Sequence, residues 1–90
     1  MLDETRGLFI HNEKLISLSL KETRLLYCLI QNKKRLVKYE ELAKFIGWNE
    51  YDKYIQNSLH VLVYKINAKL KGILSLKAVM NIGYTIEYVG

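Results

Sequence analysis

Between Tyr54 and Lys71 the chain reads YIQNSLHVLVYKINAKLK, and no other stretch narrows the possible folds so far. Leu59, Val63, Ile66 and Leu70 recur at the i, i+4, i+7, i+11 spacing of a helix with one buried stripe. At about 100° per residue they share a narrow arc, with Ile55 and Leu62 at its edge. The opposite side gathers Asn57, Val61, Tyr64, Lys65, Ala68 and Lys71. It carries no acid: from Lys53 to Ile86 there are five lysines and neither Asp nor Glu. A solvated helix surface ordinarily mixes charge signs. This pattern reads as a helix that buries one face and offers the other to a polyanion.

The rest of the composition agrees with a small folded domain. Ninety residues, half of them hydrophobic, suffice for a core without disulfides or metal. The net charge of +5 favours nucleic acid or an anionic surface as partner. Cys28 is the one cysteine, which excludes a disulfide framework and a CxxC metal half-site; among Leu25, Leu26 and Leu29 it reads as a small buried hydrophobe. No apolar run is long enough to span a bilayer and no signal peptide opens the chain, so a soluble, cytoplasmic protein is expected. With no proline, repeat or low-complexity tract, residues 1–90 read as a single domain. Nothing supports catalysis: neither histidine has a partner at a readable ligand or triad spacing, and no phosphate-binding glycine loop is present. No cofactor or metal is expected.

Taken in order, residues 1–6 are polar and read as frayed. Gly7 to Ile10 and Lys14 to Leu18 are strand-like, joined by His11-Asn12-Glu13, where Asn12 tolerates the left-handed backbone of a hairpin loop. Ser19-Leu20-Lys21-Glu22 is a capping box opening a first helix that runs to about Asn32, which reads as a left-handed stop. The basic run Lys33-Lys34-Arg35 divides evenly between a solvated helix end and a phosphate-facing cluster. After Leu36-Val37, Tyr39 to Ile46 forms a short second helix burying Leu42, Ala43 and Ile46, ended by Gly47. The long third helix starts between Glu50 and Tyr54 and is broken by Gly72. Leu76 to Met80 and Tyr84 to Val89 alternate as two strands around Asn81-Ile82-Gly83. The fold class is therefore α+β: N-terminal short strands, three helices and a C-terminal β-hairpin wing, the order of a winged helix-turn-helix. In that arrangement the third helix lies in the major groove.

Three segments and the closing turn resemble the OmpR/PhoB-type effector domain, the DNA-binding half of many bacterial response regulators. Leu18-Ser19-Leu20-Lys21-Glu22 with Leu25-Leu26 and Leu29 is similar to that family's "LT-x-KE-x-x-LL-x-x-L" first helix. Val37-Lys38-Tyr39-Glu40-Glu41-Leu42 with Trp48 is similar to "V-S-R-E-x-L … W". Asn57 to Leu70 is similar to the "V-D-V-H-I-S-R-L-R-K-K-L" recognition helix, and Val79 to Tyr84 resembles "V-R-G-x-GY". The resemblance implies a transcriptional regulator that binds direct-repeat half-sites as a tandem homodimer. RNA polymerase is a possible further partner, and the receiver domain is not in this chain.

The departures bear on what is read. Lys65 keeps a basic position, but Asn67, Met80 and Asn81 stand where the motif has two arginines and a glycine, and His60 replaces an acid. Arginine is the commonest bidentate reader of guanine, while asparagine pairs best with adenine. A lean towards A·T-rich sites follows, with Asn57 or Asn67 on adenine and Val61 against a thymine methyl. Lys65 is the first candidate contact. Tyr64, Ala68, Lys69, Lys71, Trp48 and Lys38 join it, as do Met80 and Asn81 at the wing. Each has a plainer alternative: Tyr64 covering the helix, Lys69 and Lys71 as solvated charge, Trp48 packing the turn. His60, on the helix flank, reads as a solvated or hydrogen-bonded side chain in preference to a pH sensor. A protein-binding winged helix and a non-specific architectural DNA binder are the rival readings, the first drawing on the lost arginines and on Val61, Tyr64 and Met80.

Overall fold

The computed structural model describes residues 1–33, 35–48 and 53–89. Its elements are β1 (Leu2–Asp3), β2 (Leu8–His11), β3 (Lys14–Ser17), α1 (Leu20–Gln31), β4 (Val37–Lys38), α2 (Tyr39–Ile46), α3 (Lys53–Lys69), β5 (Leu74–Val79) and β6 (Gly83–Tyr88). The strands make two antiparallel sheets, ordered β1-β2-β3 and β4-β6-β5. With α2 and α3 as the helix-turn-helix pair and β5–β6 as the wing, this is the winged helix-turn-helix that the element order leads one to expect.

The core lies where the three helices meet. Leu25, Leu26 and Leu29 of α1, Leu42 of α2 and Leu59 and Ile66 of α3 are fully buried, together with Val37 and Leu70 from the flanking segments. Helices α1 and α2 are also fixed at an end. Ser19 caps α1 in a reciprocal box: its hydroxyl accepts from the Glu22 amide at 3.1 Å, and Glu22 Oε1 accepts from the Ser19 amide at 2.8 Å. Arg24 of α1 donates to the Ile46 carbonyl at 2.8 Å, tying α1 to the last turn of α2. Gly47 then takes φ 111°, the left-handed stop expected for α2.

Several expectations change. The first residues are not frayed: Leu2 and Asp3 pair with Phe9 and Leu8, and the Met1 amino group donates to the Ile10 carbonyl at 2.6 Å. A two-residue strand has no periodicity to announce it; backbone pairing alone makes it. Asn32 is not left-handed (φ −116°); its side-chain amide instead donates to the Cys28 carbonyl at 2.7 Å and closes α1 that way. The wing turns at Met80-Asn81-Ile82, one residue earlier than alternation suggests, because Val79 pairs with Gly83. The possible α3 starts at Glu50 to Asp52, and Lys34 of the basic run, lie outside the described residues.

Glycine is indispensable at one place. β4 passes so close to β6 that a Cβ on Gly83 would sit 2.0 Å from the Val37 carbonyl oxygen. Beside it, Tyr84 is almost wholly buried, and the Tyr39 amide at the start of α2 donates to the Ile82 carbonyl at 3.0 Å. The Gly-Tyr pair of the sequence thus anchors the wing to the helix-turn-helix.

Candidate nucleic-acid interface

The α3 stripe behaves as its spacing requires. Leu59, Val63, Ile66 and Leu70 point inward, Leu62 with them, while Asn57, Val61, Tyr64, Lys65 and Ala68 are exposed on one outer face. Val61 and Tyr64 are 52% and 76% exposed, so this face carries apolar and aromatic groups in water alongside Lys65. Lys71, just past the helix, is exposed as well.

The two flanks of α3 are different, because their polar groups are already engaged. On the wing side, the Asn67 side chain bonds both backbone groups of Leu76: Nδ2 donates to the carbonyl at 3.0 Å, and Oδ1 accepts from the amide at 2.8 Å. Asn67 therefore fastens α3 to β5, and the base reading expected of it competes with these two bonds. On the other flank, Lys69 Nζ donates to Glu22 Oε1 at 2.8 Å and to the Ser17 carbonyl at 3.1 Å. It completes the cap of α1 from an exposed position, so this lysine is paired and also reachable from solvent.

Burial pushes the Glu22 carboxyl up, but hydrogen bonds from Lys69 and Ser19 outweigh it and hold the group below the usual value of 4.5. A carboxyl lowered on folding stabilises the fold above that ordinary value. The contribution is lost as pH falls through the lower folded-state value. Cys28 is buried as expected, and desolvation raises its thiol. Arg35 is spent on a paired contact with Glu41, at 2.8 and 3.3 Å, which takes it out of the basic run as a free cation.

Beside the outer face runs a shallow groove of about 540 Å³ bordered by Lys21, Trp48, Ser58, Val61 and Lys65. Trp48, half-buried against the core, holds the Lys21 ammonium 5.4 Å above its ring. Sequence reasoning missed Lys21, assigning it only to the capping box; its place in the first turn of α1, beside Trp48, is settled by packing. Lys38 is exposed at the N-cap of α2, where no side chain caps the helix.

The wing tip is apolar. Met80 is 83% exposed, and Val79 and Ile82 are exposed beside it. Asn81 has φ 61°, a left-handed conformation that asparagine shares with glycine, so its presence in place of the motif's glycine meets a backbone need. Lys77, lower on β5, pairs with Glu87 across the hairpin at 3.2 Å. The structure thus brings Asn57, Val61, Tyr64, Lys65 and Ala68 onto one face, with Trp48 at one side of it. Met80 and Asn81 stand on the wing, and the polar ends of Asn67 and Lys69 are bonded to β5 and to the start of α1.

Comparison with known proteins follows this geometry. Residues 12–86 match the profile of a family described as "Transcriptional regulatory protein, C terminal". The DNA-binding domain of Bacillus subtilis CssR superposes with a TM-score of 0.81 at 19% identity, covering 97% of this chain and 98% of that one. The DNA-binding domain of the response regulator AdeR, solved in complex with an intercistronic region, gives 0.77 at 17% identity, covering 98% and 93%. A streptococcal protein described as a redox sensor evolved from two-component response regulators is 28% identical with a TM-score of 0.68. That match covers 92% of this chain and 40% of that one. No curated protein sequence matches.

Proposed function

The chain belongs to the family of C-terminal domains of transcriptional regulatory proteins, and from that premise we propose that it binds double-stranded DNA with α3 in the major groove and the β5–β6 wing at the minor groove beside it. One observation carries the placement: the exposed face of α3 has no carboxylate, while its flanking polar groups are tied inward and hold the helix rigidly against α1 and β5.

Lysines at the edges, Lys65 first and then Lys71, Lys38 and Lys21, neutralise phosphates and orient the domain. Trp48 backs the Lys21 edge. Asn57 reads adenine, and Val61 and Ala68 meet thymine methyl groups, so A·T-rich sites are preferred. Tyr64 donates to a phosphate from the same face. Met80, with no charge to place in the minor groove, reduces the attraction there, and Asn81 shapes the turn that presents it. The domain acts in the cytoplasm as the output of a response-regulator-type protein, without catalysis of its own. Two copies sit on tandem half-sites, with RNA polymerase as a further contact.

The test is fluorescence anisotropy on A·T-rich and G·C-rich duplexes at two salt concentrations. Affinity falls with salt, is higher on the A·T-rich duplex and drops about tenfold in Lys65→Ala. Equal, salt-sensitive binding to both duplexes indicates an architectural binder. Absence of binding at low salt favours the protein-binding alternative, for which the apolar wing tip is the observation.

A further inference from the structure

With a helix in a major groove and a hairpin at the minor groove beside it, the sugar-phosphate strand dividing the two grooves crosses the crease between helix and hairpin. His60 stands in that crease. It is exposed on the wing-side flank of α3, and its Nδ1 pairs with the hydroxyl of Tyr84 on β6. Its ring meets Tyr39 and Tyr84 edge to face at centroid distances of 6.1 and 5.8 Å, and those two rings meet each other at 5.7 Å. Tyr39 and Tyr84 are both buried, so packing fixes the imidazole from the protein side. Among the described residues no protein group pairs with Nε2, at the far edge of the ring.

We propose that His60 is a phosphate contact at the crease between α3 and the wing, and that its protonation makes DNA binding tighten as the pH falls. The proposal rests on the DNA reading above. In the neutral ring the bond between Nδ1 and the Tyr84 hydroxyl runs either way, according to which ring nitrogen carries the proton. When the ring is doubly protonated, Nδ1–H donates to the Tyr84 oxygen, and the ring keeps its seat between the two tyrosines with a charged Nε2–H at its exposed edge. Imidazole changes charge in the pH 5–8 range. A phosphate at Nε2 favours the charged form, so proton and DNA each strengthen binding of the other.

Among the described residues, the side chains that meet the ring are uncharged. From α2 the ring is faced by Tyr39, and from β6 by Tyr84. One turn away along α3 lie Gln56 and Tyr64, neither charged. The carboxylates and cations on the neighbouring elements are Glu40 and Glu41, Lys38 and Lys44 around α2, and Lys77 and Glu87 on the wing. Glu41 is held by Arg35, and Lys77 and Glu87 hold each other. Among the described residues no carboxylate forms an ion pair with His60.

The experiment measures affinity of the 90-residue chain for one A·T-rich duplex at pH 6 and pH 8, at fixed ionic strength. The wild type binds about fivefold tighter at pH 6. His60→Gln shows no such change, and at pH 6 its log-affinity against log-salt slope is shallower by about one. His11→Gln, altered at the distant N-terminal hairpin, keeps the wild-type response. A reading without any variant is the His60 ring proton resonance, which titrates at higher pH in the complex than in the free chain. DNA binding that is the same at both pH values, or a pH response that persists in His60→Gln, overturns this assignment alone. Absence of binding at either pH overturns the underlying DNA reading with it.

Discussion

The chain builds two three-stranded antiparallel sheets, and they finish in opposite ways. The N-terminal one turns at Asn12 and Glu13, both left-handed at φ 47° and 69°, with polar side chains in water. The C-terminal one turns at Met80-Asn81-Ile82 and leaves apolar groups in water. Their inner ends are alike: Phe9 and Leu18 at the first sheet, Leu74, Leu76, Tyr84 and Ile86 in the second, all enter one core. Core packing therefore explains the bases of both hairpins and neither tip. The first tip is what hairpin geometry and solvent ask for; under the DNA reading proposed above, the second is the one that meets a partner.

That contrast can be broken at several depths. Gly83→Ala has the largest expected effect, because β4 and β6 cannot both keep their places around a Cβ 2.0 Å from a carbonyl oxygen. A loss of about 3–4 kcal/mol in urea unfolding is expected; a loss under 1 kcal/mol means the strands separate readily. Asn67→Ala comes next, leaving the Leu76 amide and carbonyl without their side-chain partner, at about 2 kcal/mol. If Asn67 also reads a base, the variant loses A·T preference along with stability, so measuring both decides its role. Asn12→Ala is the mildest, about 1 kcal/mol for a left-handed position given to alanine, with DNA affinity unchanged. A fall in affinity there would bring the first sheet into the interface and erase the distinction between the two tips.

What could be read in the sequence was local. The Ser19–Glu22 box and the bounds of α2, from Tyr39 to Gly47, depend on residues three to eight positions apart, and both are found where spacing puts them. The outer face of α3 was legible for the same reason. Asn67 and Lys69 were not, since their partners lie 9 and 47 residues away, and a helical period records only which side a residue leaves by. His60 shows the limit from the other direction. A hydrogen-bonded histidine was the expectation and is what the structure holds, yet only the identity of the partner, a buried phenol on the wing, gives that bond a consequence.

Gly83 and Tyr84 have a bearing on how such a domain changes over generations. The base of the wing admits almost no other residues, because one position has no room and the other fills the core. The tip asks only for a residue at Asn81 that tolerates a left-handed backbone and leaves Met80 unconstrained. Of the departures from the motif that the chain resembles, the two in the wing fall at that tip, and none falls at Gly83 or Tyr84. The mount is thus sterically strict and the point permissive, so a single substitution at Met80 changes what the hairpin touches without disturbing the core.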